Sequence, residues 1–135
     1  MTELRNGSCL CGRISYTISG PLSKVTTCHC GQCRKQTGHY YAAARTRETQ
    51  FDIKDDESLL KWYRSSETAS RGFCSNCGSA LFWKSDNSPS LSVLVGSIDG
   101  DTGLEIGEHI FMESKSDYYE MDDDTPQFQT VDPSR

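Results

Sequence analysis

Seven cysteines fall into three tight groups on this 135-residue chain: Cys9 and Cys11; Cys28, Cys30 and Cys33; and Cys74 and Cys77. Sulfurs at such spacing either hold metal or do redox chemistry. An odd count leaves one cysteine over in any disulfide scheme, and clustering in a reduced compartment points to metal. Cys74-Ser75-Asn76-Cys77-Gly78 is a C-x-x-C-G knuckle, in which a tight turn aims both sulfurs at one ion and Gly78 supplies the backbone freedom. A tetrahedral structural site needs two more ligands. Cys9-Leu10-Cys11-Gly12 offers them if the segment is extended, because residues i and i+2 then project to one side. A closed site of this kind contributes on the order of 10 kcal/mol to folding. Taken alone, Cys74 and Cys77 could be a redox pair, but that role is expected beside a βαβ pattern, which the chain lacks. Taken alone, Cys9 and Cys11 could be small buried hydrophobes.

The middle group differs. Cys28-His29-Cys30-Gly31-Gln32-Cys33 puts three sulfurs within six residues and leaves no cysteine for a fourth position. Three protein ligands and one exchangeable position are the pattern of catalytic zinc. Such an ion takes a thiol as thiolate or polarises a carbonyl oxygen, and three soft, anionic ligands favour thiolate exchange over water activation. Two alternatives stand beside this reading. His29 or His39 could close the site, although His29 points away from its neighbours' metal if the segment is extended. Cys9 could instead join Cys28, Cys30 and Cys33. His109 reads as a satisfied strand histidine. Arg34 and Lys35 could offset the negative cluster, hold an anionic substrate such as a carboxylate, or stand as a solvated pair. Iron suits four thiolates as zinc does.

The elements that must position these residues are short. Ile14, Tyr16 and Ile18 alternate with Ser15, Thr17 and Ser19 before Gly20-Pro21, the pattern of a half-buried strand closed by a turn. Further strands are expected from Tyr40–Ala44, Thr49–Ile53, Leu59–Tyr63, Ala80–Trp83, Leu91–Ile98 and His109–Met112, and a turn or two of helix over Gln32–Gly38. The expectation is one all-β (β-dominated) domain over residues 1–135, with a polar acidic tail from about 114 anchored by Tyr118, Tyr119 and Phe128. Apolar residues make up 35% of the chain and mean hydropathy is -0.61, a lean core that metal would help. Net charge is -5 and the densest charged run is Asp122-Asp123-Asp124, so a nucleic-acid partner is not expected. The first residues have no apolar signal core, and no apolar stretch is long enough for a bilayer. The expected address is the cytoplasm, with no membrane partner.

These motifs, in this order, resemble those of the glutathione-dependent formaldehyde-activating enzymes, a family that also includes centromere protein V. Gly7-Ser8-Cys9-Leu10-Cys11-Gly12 resembles its opening motif, Cys28-His29-Cys30-Gly31-Gln32-Cys33-Arg34-Lys35 its central one, and Arg71-Gly72-Phe73-Cys74-Ser75-Asn76-Cys77-Gly78-Ser79 its third. His109-Ile110-Phe111 and Asp123-Asp124-Thr125-Pro126-Gln127-Phe128 resemble its C-terminal signature. The resemblance implies a zinc-bearing β-tent built from short antiparallel sheets. It implies two zinc ions: a structural one on Cys9, Cys11, Cys74 and Cys77, and a catalytic one on Cys28, Cys30 and Cys33. The implied activity is that of a carbon–sulfur lyase joining glutathione, or another thiol, to formaldehyde or a related small aldehyde, as in S-hydroxymethylglutathione synthesis. Few residues precede Cys9, so whatever a longer leading segment adds to glutathione binding in the best-described members is expected to be missing. The competing reading, which the centromere branch suggests, is a non-catalytic zinc module that binds a protein partner. The sequence leaves the oligomeric state open.

Overall fold

The computed structural model describes residues 4–134. Among the described residues, ten strands and one α-helix follow in chain order: β1 (Arg5–Ser8), β2 (Ser15–Ile18), β3 (Val25–Cys28), α1 (Gly31–Thr37), β4 (Tyr41–Arg47), β5 (Phe51–Lys54), β6 (Leu60–Arg64), β7 (Ala69–Cys74), β8 (Ala80–Ser85), β9 (Ser90–Leu94) and β10 (Ile106–Ile110). The fold is β-dominated, as the short alternating segments imply. No helix among the described residues is long and apolar enough to cross a membrane. The chain forms two compact units, Met1–Ser23 with Ala44–Gly103, and Lys24–Ala43 with Leu104–Arg135.

The first unit carries the apolar core. In β2 the alternation does what it predicts: Ile14, Tyr16 and Ile18 are buried while Ser15 and Thr17 are half-exposed. β2 pairs antiparallel with β1 on one side and β5 on the other. Gly7 of β1 faces Tyr16, and a Cβ there would collide with the phenol, whose hydroxyl bonds Ser97 Oγ at 2.6 Å. Strands β6 to β9 follow as successive antiparallel neighbours. Phe82 of β8 is fully buried, with Tyr16, Phe51 and Trp62 at ring distances of 5.5, 6.0 and 6.2 Å. Trp62 reaches it by lying across Gly72, where a Cβ would meet the indole at 3.1 Å. Strand β7 was not expected from the sequence. Its burial alternates imperfectly and includes Arg71, so no simple apolar period marks it.

The second unit has a more polar interior. β3 lies between β10, its parallel partner, and the start of β4, its antiparallel one. Buried with Val25, Cys28, Cys33, Tyr41, Ala43 and Ile110 are Thr27, His29 and His109. Helix α1 begins at Cys30, whose sulfur accepts from Cys33 N, and ends at Gly38, whose positive φ of 83° lets its N–H return to Arg34 O. After β10, Phe111 sits at φ 55°, an uncommon conformation for a bulky residue. The strained turn is held by its own N–H on Thr130 O at 2.7 Å and by Met112 N on Phe128 O at 3.1 Å. Residues 126–130 thus lie alongside residues 109–112, parallel to the end of β10.

Candidate metal centres

In the first unit, the sulfurs of Cys9, Cys11, Cys74 and Cys77 lie within 4.8 Å of one another. Cys9 and Cys74 are buried, Cys77 is half-buried and Cys11 is exposed. The C-x-C pair meets by a route the sequence reading did not anticipate. Cys9–Gly12 is a turn closed by Gly12 N on Cys9 O at 3.1 Å, so Cys9 and Cys11 approach through chain reversal and not through an extended segment. The C-x-x-C pair forms as expected: Gly78 N bonds Cys74 O at 2.7 Å, and Gly78 takes the left-handed φ of 83°. Ser79 joins the two halves, accepting Leu10 N–H at 2.9 Å while lying 3.3 Å from Cys77 Sγ.

Those surroundings act differently on three of the thiols. The Ser79 hydroxyl pulls Cys77 down to about 5, and the Asn76 side chain lowers Cys11, whereas burial pushes Cys74 up to about 11. Backbone N–H groups of Ile14 and Cys77 point at Cys9 and Cys74 sulfurs, each at 3.4 Å. Sulfurs 3.5 Å (Cys9–Cys11) and 3.9 Å (Cys11–Cys74) apart are far beyond a disulfide bond. They bracket the ~3.8 Å edge of a tetrahedron with ~2.3 Å zinc–sulfur bonds. The donor set fits a four-thiolate zinc ion.

In the second unit, Cys28, Cys30 and Cys33 also place their sulfurs within 4.8 Å of one another, with Cys30 and Cys33 3.2 Å apart. Cys28 ends β3, Cys30 caps α1 and Cys33 faces inward from its first turn. Cys28 and Cys33 are buried and Cys30 is half-buried. The neighbouring Cys30 and Cys33 sulfurs, reinforced by burial, hold the Cys28 proton far more tightly than an ordinary thiol does. Three crowded thiols can ionise together only beside a cation, so this donor set also fits zinc. Among the described residues, no further Cys, His, Asp or Glu ligand atom joins the trio, and Cys9 groups with Cys11, Cys74 and Cys77 instead.

The histidines are committed elsewhere. His29 Nε2 lies 2.9 Å from Thr27 Oγ1, and its Nδ1 meets the Tyr119 hydroxyl. Burial pushes the His29 imidazole down to about 4. His39 Nδ1 bonds the Tyr118 hydroxyl at 2.6 Å. His109 is the satisfied strand histidine the sequence suggests, between Thr27 Oγ1 at 2.6 Å and the Asp123 carboxylate at 3.2 Å. Thr125 N–H, the main influence, lowers the Asp123 carboxyl, and burial raises the Tyr119 phenol.

In the same unit, Arg34 is half-buried, with Nη1 3.4 Å from Ser116 Oγ and a buried Nε that has no hydrogen-bond partner, whereas Lys35 is exposed. Lys115 Nζ sits 4.8 Å from the Tyr119 ring centre. Thr27 went unremarked in the sequence because a strand threonine carries no spacing signal. Tyr119 showed only as a tail anchor and Asp123 only as part of a motif.

A sequence model of the family described as glutathione-dependent formaldehyde-activating enzyme matches residues 4–114 of this chain. An uncharacterized lyase of Schizosaccharomyces pombe is 28% identical over 127 residues, covering 93% of this chain and 90% of the relative. A crystal structure of a Rhodobacter sphaeroides protein superimposes with a TM-score of 0.60 at 24% identity, covering 73% of this chain and 91% of that one, a likeness of fold.

Proposed function

This chain belongs to the glutathione-dependent formaldehyde-activating enzyme family, and from that premise we propose that it is a zinc-dependent carbon–sulfur lyase. Its substrates are glutathione, or a related thiol, and formaldehyde or another small aldehyde. A lyase-type, glutathione-related function accords with both the family and the lyase-named yeast relative. In the proposed division of labour, Cys9, Cys11, Cys74 and Cys77 hold a structural zinc, and Cys28, Cys30 and Cys33 hold the catalytic one. The whole chain works as a single domain in the reducing cytoplasm.

One observation carries the reading: three sulfurs converge while both nitrogens of the adjacent His29 are engaged by Thr27 and Tyr119. A histidine occupied in this way is not offered to a metal, which favours the enzyme over the closed, non-catalytic module. Zinc at such a site supplies thiolate stabilisation and carbonyl polarisation. The rest is done by the chain. The three cysteines would hold the ion, no fourth protein ligand joins them among the described residues, and half-buried Arg34, next to Cys33 in the chain, brings positive charge to the same segment. That guanidinium also suits a substrate carboxylate. Holding thiol and aldehyde together replaces a bimolecular encounter with an oriented one.

The test is kinetic. Hemithioacetal formation from glutathione and formaldehyde is measured with the zinc-loaded wild type and with Cys30→Ser. Acceleration by the wild type and its loss in the variant are expected. A wild-type rate no faster than the uncatalysed reaction rejects the activity.

A further inference from the structure

Four hydrogen bonds link five side chains of the second unit in one line. Tyr119 meets His29 Nδ1; His29 Nε2 is 2.9 Å from Thr27 Oγ1; Thr27 Oγ1 is 2.6 Å from His109 Nδ1; and His109 Nε2 is 3.2 Å from both oxygens of Asp123. Thr27, His29 and His109 are fully buried, whereas the Asp123 side chain is 46% exposed. The line therefore runs from the flank of the three-cysteine segment, through the interior, to solvent.

The donors and acceptors fix its direction when both imidazoles are neutral. An ionised carboxylate only accepts, so His109 carries its hydrogen on Nε2 and leaves Nδ1 as an acceptor. Thr27 has one hydrogen and donates it to that nitrogen. Its oxygen is then the acceptor for His29, which must carry hydrogen on Nε2. His29 Nδ1 accepts in turn, and the donor is the Tyr119 hydroxyl. Every hydrogen points toward Asp123. The Tyr119 oxygen has given its own hydrogen inward, so toward anything beside it that oxygen can only accept.

The Asp123 end is anchored by backbone. Thr125 N–H holds Asp123 Oδ1 at 2.9 Å. His109 is fixed by its N–H on Pro126 O and by Phe128 N–H on its own carbonyl, both at 2.9 Å. These bonds give residues 123–128 a task that the zinc ligands alone leave unexplained.

We propose that Tyr119 is the proton acceptor for the substrate thiol and the first member of a proton wire that ends at Asp123. This inference rests on the lyase reading and assigns that site its base. The thiol proton goes to the Tyr119 oxygen as the phenolic hydrogen moves to His29 Nδ1. The His29 Nε2 hydrogen moves to Thr27, the Thr27 hydrogen to His109 Nδ1, and the His109 Nε2 hydrogen to the Asp123 carboxylate, which holds it until the return step. Each imidazole exchanges one neutral tautomer for the other and carries no charge. The freed sulfur pair forms the carbon–sulfur bond, the carbonyl π pair moves to oxygen, and that oxygen takes its proton from Tyr119 as each hydrogen steps back along the line from Asp123, which restores both imidazoles to their starting tautomers. One proton leaves and one returns.

Two readouts test this on the full, zinc-loaded chain. Two-bond proton–nitrogen NMR of ¹⁵N-histidine protein reads the tautomers directly, and both His29 and His109 are expected with hydrogen on Nε2. Kinetics on Tyr119→Phe and Asp123→Asn are expected to show kcat reduced at least about a hundredfold, the low end for losing a positioned base, with KM and zinc content within twofold. A merely packing role would move KM or metal content instead. Hydrogen on His29 Nδ1 in the wild type, or Tyr119→Phe with full kcat, overturns the wire. If the wild type itself gives no acceleration, the lyase reading falls, while the tautomers still decide the direction of the wire.

Discussion

The four-cysteine cluster and the three-cysteine cluster use the same donor atom in opposite surroundings. The first stands in a unit whose interior is aromatic and aliphatic, centred on Phe82 with Tyr16, Phe51 and Trp62 around it. Its sulfurs are supplied by two turns 63 residues apart, so an ion there ties distant segments together. The second is drawn from six consecutive residues, closes no long loop, and stands in a unit that buries two histidines and a threonine. Loop closure rewards the first arrangement, because ligands far apart in the chain cost the unfolded state most when joined. Buried polar side chains are costly unless each is satisfied, and Thr27, His29 and His109 are. The contrast is the one that the proposed division of labour requires, with one cluster for holding the fold and another for chemistry.

Substitutions sharpen that contrast. The largest effect is expected at Cys74→Ser, which removes a buried ligand from the cross-linking site. It should lose most of the metal contribution, on the order of 10 kcal/mol, and show no cooperative melt by circular dichroism. Chelation of the wild type should converge on the same state. Next, Phe82→Ala empties the centre of the apolar core and should cost about 3–5 kcal/mol in urea unfolding. Cys30→Ser is the critical counterpart. Its unfolding midpoint should move far less than that of Cys74→Ser although its activity is gone, and equal destabilisation by the two would erase the distinction.

The smallest effect concerns Tyr16, whose phenol burial pushes up to about 12 from 10.0. The unfolded chain then gives up this proton near pH 10 while the folded chain keeps it, so the contribution is complete below pH 10 and fades as pH rises toward about 12. Alkaline unfolding of the wild type should steepen in that window, and Tyr16→Phe should lack the added slope. At neutral pH the same variant loses the bond to Ser97 and should cost about 1 kcal/mol.

What the sequence made legible follows from how local each signal is. Alternation at Ile14, Tyr16 and Ile18 marks β2 because every second side chain enters the core. The knuckle at Cys74–Gly78 is legible because its turn is written in four or five consecutive residues. The Cys9–Cys11 segment turns where an extended one is expected, since a two-residue spacing reports that sulfurs can meet and not how. Strand β7 escaped notice because buried Arg71 and Gly72 break the apolar period, the glycine making room for Trp62 ten residues earlier. The line from Tyr119 to Asp123 had no spacing signal at all. Its members are 2 to 96 residues apart, and only pairing of β10 with β3 sets His109 opposite Thr27.

The most direct measurement is cobalt substitution followed by a glutathione titration. The account predicts two cobalt ions per chain, with sulfur-to-cobalt absorption that grows and shifts as glutathione saturates, and with that response lost in Cys30→Ser. Two bound cobalt ions whose spectrum stays unchanged at saturating glutathione, or a fully loaded chain that takes only one, would contradict it.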